Sequence, residues 1–216
     1  MPLSLIKKIK PGALLGRWYL TETVVQLQAQ ANLTAQIEIP ATITHEKRKA
    51  EWIASRIVAY QMLQHFTPVS HSLLNHDTGQ PYFVESPYHI SISHTKDHVA
   101  VLISTADSVG IDIERVQSKV SRIQDKFLNQ QEKLAIGNDL VKLTIAWSAK
   151  ETLYKLYGKK NLIFNQNLIL QPFDTSKFGE IEAFIRTPTL LQKYKVFFEV
   201  EDDTVLTYCF GNEYLP

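Results

Sequence analysis

The chain carries a single cysteine, Cys209, among its 216 residues. One thiol cannot make an intrachain disulfide framework or an all-cysteine zinc site. It lies in the apolar run VLTYCF, the setting of a buried core residue. Long hydrophobic runs are missing too, since no segment approaches the ~18 consecutive apolar residues of a membrane span. The opening MPLSLIKKIKPG has lysines but no apolar stretch after them, so a secretory leader is not expected. Charge of one sign is also scarce. Basic residues number 23 and acidic residues 22, a net charge of +1. That argues against wholesale neutralisation of nucleic-acid phosphates. Low-complexity tracts and flexible linkers are absent. The expectation is a soluble, cytoplasmic protein with neither a membrane nor a nucleic acid as its partner.

What is there is ordinary globular material, 44% hydrophobic and 21% charged, enough for a real core. The length allows one large domain or two small ones. Residues 18–25 (WYLTETVV) read as a strand. A helix is expected from about Thr44 through HEKRKAEWIASRIVAYQMLQHF, with Pro68 as its stop. SPYHISISHT alternates like a strand. Residues 98–104 and 109–116 read as the arms of a β-hairpin joined by TADS. Residues 123–136 are helical with a break at Asn129, and a stronger helix covers 140–157, ending before Gly158. The runs LILQPF, EIEAFIR, YKVFFEV and TVLTYCF read as strands of an antiparallel sheet. Strand, helix, strands thus occurs twice, which hints at an α+β fold of two halves, residues 1–104 and 105–216.

Three stretches carry chemistry. In VGIDIERV, alternation puts Ile111 and Ile113 on one face and Asp112 and Glu114 on the other. Taken alone, the acids could be the solvent face of a half-buried strand. In WSAKETLYK, Glu151 and Lys155 lie one helical turn apart, with Ser148 on the same face. Alone, this could be a solvated pair worth ~0.3–0.5 kcal/mol. Together, Asp112, Glu114 and Glu151 make a three-carboxylate site of hard oxygen ligands. With a lysine nearby, that suits Mg²⁺ bound to a substrate phosphate, and Lys155 could reach the same phosphates. In HISISHT, strict alternation puts His94 beside Ile90 and Ile92, where a satisfied core histidine is the competing reading. If alternation lapses at the strand end, Ser93 and His94 could meet a phosphate.

GIDIE followed by WSAKETLYK resembles the paired signature of the 4′-phosphopantetheinyl transferases. ISISHT resembles that family's Ser-His motif and TGQPYF its Gly-Lys-Pro loop. The elements follow the family's order over residues 78–155. The length resembles the long, surfactin-type branch, in which one chain holds two similar halves packed as a pseudo-dimer with the active site between them. The resemblance implies a monomer that moves the phosphopantetheine arm of coenzyme A onto a serine of an apo acyl or peptidyl carrier protein, releasing adenosine 3′,5′-bisphosphate.

Residue by residue, it implies that Asp112, Glu114 and Glu151 hold Mg²⁺ and that Lys155 contacts the pyrophosphate. Glu151, directly or through a water, would be the base. Ser93 and His94 would bind the coenzyme's 3′-phosphate. Arg48, with Lys47 and Arg56, would form a basic coenzyme-binding helix; a solvated basic face is the competing reading. Gln80 stands where the family loop usually has lysine, which removes one positive charge. In YGKKNL, Lys159 and Lys160 stand where Gly-x-Gly is frequent. Lys119, Arg122, Lys126 and Lys133 could present a basic surface to an acidic carrier protein, or only keep a helix soluble. Two rivals come from other classes. A metal-dependent nuclease usually carries a closely spaced Glu-x-Lys on a strand, not a helical Glu151/Lys155 pair. A non-catalytic carrier-protein or coenzyme A binding module need not retain all four residues Asp112, Glu114, Glu151 and Lys155.

Overall fold

Strand alternation begins at the N-terminal end, in β1 (Ser4–Lys10) and β2 (Ala13–Tyr19). Pro11 and Gly12 turn the chain between them, Gly12 at a positive φ of 74° that its missing Cβ permits. The expected strand over 18–25 is corrected here: β2 stops at Tyr19, and α1 (Val24–Thr34) is a helix. The Thr23 hydroxyl accepts from the Gln26 amide, and the Gln26 side chain accepts from the Thr23 amide. This reciprocal cap outweighs the strand propensity of Val24 and Val25.

The computed structural model describes residues 4–34, 37–159 and 161–211; Lys160 lies outside them. The chain divides into two compact units, residues 1–76 with 81–106, and 77–80 with 107–216. The first unit continues with α2 (Glu46–Leu63), β3 (Leu73–Asn75), β4 (Pro81–Phe83), β5 (His89–Thr95) and β6 (His98–Ser104). Its main sheet has the order β1-β2-β6-β5, and β3 pairs with β4. Helix α2 lies against β2 and β6. Ile53, Ile57 and Val58 pack there with Trp18, Val99 and Val101 in one core.

The second unit holds β7 (Val109–Arg115), the short helices α3 (Lys119–Arg122), α4 (Gln124–Phe127) and α5 (Gln130–Ile136), and the long α6 (Leu140–Tyr157). A turn of helix, α7 (Phe164–Asn167), leads to β8 (Leu168–Leu170), β9 (Phe178–Thr187), β10 (Leu190–Glu201) and β11 (Thr204–Phe210). The sheet order is β7-β11-β10-β9-β8, all neighbours antiparallel. Asp139 caps α6 through the amides of Val141 and Lys142, and Gly158 ends it in the left-handed conformation. The fold is α+β with a sheet and a long packed helix in each half.

Residues 98–104 and 109–116 form strands but not a hairpin. β6 is taken on both sides by β2 and β5, whereas β7 pairs with β11. The connector is held from each end instead: Thr105 donates to Gly12 O, and Gly211 donates to Ser108 O. Alternation reports the strands; which strand satisfies each backbone edge is a long-range matter.

Candidate functional site

Glycine brings the two acidic elements together. A Cβ on Gly110 would overlap the carbonyl oxygen of Thr152 and crowd Leu156 Cβ at 3.1 Å. β7 therefore lies directly against α6. Asp112 is 4% exposed and pairs through Oδ1 with Lys155 Nζ at 2.8 Å. Glu114, one pleat further on, accepts at Oε1 from Trp147 Nε1 at 2.9 Å.

The side chains from α6 do different jobs. Ser148 is fully buried and shares a 2.8 Å hydrogen bond with the Thr207 hydroxyl on β11, so it is used inside the sheet–helix packing. Glu151 is half-buried beside the two strand carboxylates. Burial first, then Asp112, raises its pKa from 4.5 to about 7; Lys155 pulls it down and Glu114 pushes it up. Glu114 is also raised, by burial and then Asp112, against the Trp147 hydrogen bond and the charges of Lys155 and Lys119. Glu114 and Glu151 thus both feel the charge of Asp112 and of the Lys155 ammonium. Gln80 Nε2 donates to the Lys155 carbonyl at 3.4 Å.

The donor set is oxygen-only with excess negative charge, the chemistry that suits a hard divalent cation. Among the described residues no group of three or more His, Cys, Asp and Glu side chains is drawn together at metal-ligand spacing. The fit of this set to Mg²⁺ is in its chemistry and its charge.

The first unit carries a second polar cluster. Arg48 NH1 lies 3.2 Å from His94 Nε2 and 3.3 Å from Glu51 Oε2, and His94 Nδ1 lies 3.3 Å from the same carboxylate oxygen. His94 is exposed at the end of β5, while Ser93 is buried. His94 continues the face of Ile90 and Ile92, along which cover thins from buried Ile90 through half-buried Ile92 to exposed His94, so it is not the covered core histidine of the competing reading. Arg56 is apart from this group. It is 5% exposed, lies over the Trp52 ring and donates to Ser55 Oγ and Asn75 Oδ1. Burial lowers its pKa to about 10. Lys47 is exposed on α2. Of the basic residues after β7, Lys119, Arg122 and Lys126 are exposed, and Lys133 pairs with Asp125 at 2.6 Å.

Sequence reasoning missed the parts played by four residues. Glu51 orients both Arg48 and His94. Trp147 read as an apolar helix position, yet its N–H serves Glu114. Lys150, part of WSAKETLYK but given no role from sequence, is 0% exposed and paired with Glu132. Only Glu132 had a readable signal, since Asn129 three residues earlier completes a capping box.

Two family descriptions match the chain. The 4′-phosphopantetheinyl transferase superfamily covers residues 108–209, and the 4′-phosphopantetheinyl transferase N-terminal domain covers residues 38–104. The chain is 29% identical over 143 residues to enterobactin synthase component D of Salmonella typhi, across 63% of this chain and 57% of that protein. The same protein of Salmonella typhimurium gives the same identity over 143 residues, with the same 63% and 57% shares. The chain thus matches less than two thirds of the length of these curated relatives. None of the described helices is long and apolar enough to cross a membrane.

Proposed function

From its membership of the 4′-phosphopantetheinyl transferase superfamily, to which this chain belongs, we propose that it transfers the 4′-phosphopantetheine arm of coenzyme A to a serine of an apo carrier protein. The observation that supports this reading is that β7, with Asp112 and Glu114, packs against α6, with Glu151 and Lys155, so that Lys155 pairs with Asp112 and both glutamates feel the charge of Asp112. The serine oxygen attacks the pantetheine-side phosphorus of the pyrophosphate. The phosphorus–oxygen bond to the nucleotide breaks, and adenosine 3′,5′-bisphosphate leaves with the bonding electrons.

Asp112, Glu114 and Glu151 would hold Mg²⁺, which supplies charge neutralisation at the pyrophosphate. Each residue has a distinct task. Lys155 turns its ammonium from Asp112 to the pyrophosphate and stabilises the departing oxygen. Glu151, with its pKa raised to about 7, is the base that takes the serine proton, directly or through a water. Ligation lowers its basicity, which favours the water. In the first unit Arg48 and His94 bind the coenzyme's 3′-phosphate, with Glu51 holding both in place. Gln80 in place of lysine leaves that phosphate one cation fewer. The net charge of +1 and the exposed Lys119, Arg122 and Lys126 suit an acidic carrier protein. The protein is expected to act as a monomer. Chromatography of reactions with coenzyme A tests the proposal: adenosine 3′,5′-bisphosphate should appear only with both Mg²⁺ and an apo carrier present. Its absence with fatty-acid, polyketide and peptide-synthetase carriers alike would sink the reading.

A further inference from the structure

Lys150 is the least expected side chain in α6. It is 0% exposed, on a helix whose other core-facing residues include Leu143, Ala146, Ala149 and Leu153. An apolar side chain would fill that space at lower desolvation cost, because a buried ion pair seldom beats well-packed hydrophobic residues. The ammonium nevertheless has a complete set of acceptors: Glu132 Oε2 at 2.7 Å, Phe127 O at 2.7 Å and Phe164 O at 3.3 Å. The Glu132 carboxylate is fixed in turn by the amides of Asn129 and Leu170, both at 2.8 Å.

The two phenylalanines whose carbonyls Lys150 holds are the two whose rings grip Trp147. Phe127 meets the indole edge-on at 5.2 Å between centroids, and Phe164 stacks on it at 5.6 Å. The N–H of that clamped indole donates to Glu114 Oε1 at 2.9 Å. A continuous path of contacts therefore runs from the buried ion pair to a carboxylate of the candidate site. The path gathers α4, α5, α7 and β8 around α6. α4 and α7 are single turns of helix, too short to hold themselves.

We infer that the Lys150–Glu132 pair is a positioning device, holding Phe127 and Phe164 so that they clamp Trp147 and its indole N–H aims the Glu114 carboxylate. The inference rests on the proposed use of Asp112, Glu114 and Glu151 as cation ligands. Trp147 and Lys150 touch no reacting atom; they act through Glu114, as outer residues that orient a ligand do.

The test uses the whole chain and two readouts. The first is the indole N–H resonance of Trp147 in ¹⁵N-labelled protein, assigned by its loss in Trp147→Phe. The double variant Lys150→Met/Glu132→Gln removes both buried charges together and keeps a side chain able to complete the Asn129 cap. It should fold where Lys150→Met alone, with a stranded carboxylate, can fail. In the folded double variant the Trp147 resonance should move toward its position in Glu114→Gln. A resonance left at its wild-type position overturns the inference. The second readout is Mn²⁺ binding by calorimetry. Trp147→Phe keeps the stacked ring and loses the donor, so affinity should fall about 10–100-fold, with the same direction in the double variant. Wild-type affinity in both variants overturns the inference even if the carboxylates bind metal. If the wild-type protein takes up no Mn²⁺, the metal reading fails on its own, and the indole resonance still decides whether Lys150 holds Trp147.

Discussion

Replacing Glu151 with glutamine should make the metal-free protein more stable at alkaline pH while ending its activity. Burial and the neighbouring acids move the Glu151 pKa from 4.5 to about 7. The folded state therefore favours the protonated carboxyl more strongly than the unfolded state does. Below pH 4.5, the unfolded value, both states are protonated and the site costs nothing. As pH rises toward 7, the unfolded chain ionises freely and the folded one does not, so stability falls. Above that value both are ionised and the full penalty stands. At 1.36 kcal/mol per unit, with an allowance for solvent screening of a half-buried carboxylate, the penalty is about 2–3 kcal/mol. Glutamine keeps the shape and removes the charge. Calorimetry in EDTA should find the variant more stable by about that amount at pH 8.5, and by less than half of it at pH 5. Added Mg²⁺ should then raise the wild-type melting temperature and leave the variant's unchanged. Parallel stability–pH curves for the two proteins would refute the reasoning, because they would mean that Glu151 does not share its surroundings with Asp112 and Glu114.

Other outcomes follow from the same geometry. Asp112→Ala should fold and lose most turnover; near-normal activity in a folded variant removes Asp112 from the metal set. Lys155→Ala should lower kcat and kcat/KM together, by analogy with the ~2.7–4 kcal/mol for one oxyanion donor, whereas a rise in the Michaelis constant alone would mark Lys155 as a uniform binder. Arg48→Ala and His94→Ala should weaken coenzyme A but not 3′-dephospho-coenzyme A; equal weakening of both would separate these residues from the 3′-phosphate. Gly110→Ala should cost about 1–3 kcal/mol or more, because its Cβ meets the backbone of α6 and not a flexible side chain; an unchanged denaturation midpoint contradicts the close approach of β7.

The placement of the candidate residues on their elements was legible because their spacing is local. Period two placed Asp112 and Glu114 on one face of a strand, and period 3.6 placed Glu151 and Lys155 on one face of a helix. The limits of α6 were readable too, with Asp139 before it and Gly158 after it. Most of what escaped depends on partners far along the chain. β6 and β7 have hairpin-like spacing but opposite allegiances, and only strands β2 and β11 decide that. Thr23 and Gln26 overrode two valines through side-chain hydrogen bonds that alternation does not register. Ser148, expected beside Glu151 and Lys155, turned to Thr207 because helix crossing against the sheet sets its neighbours. Arg56 is expected from sequence on a basic coenzyme-binding helix or a solvated face, and only the packed structure shows it, like Lys150, to be internal.

The central claim is most directly tested by intact-mass spectrometry of an apo acyl carrier protein incubated with this protein, coenzyme A and Mg²⁺. The expected result is a gain of one phosphopantetheine mass on the carrier, abolished by EDTA and absent with Asp112→Ala. No mass shift on several carriers, with coenzyme A still bound, would contradict the account and leave a coenzyme A binding module in its place.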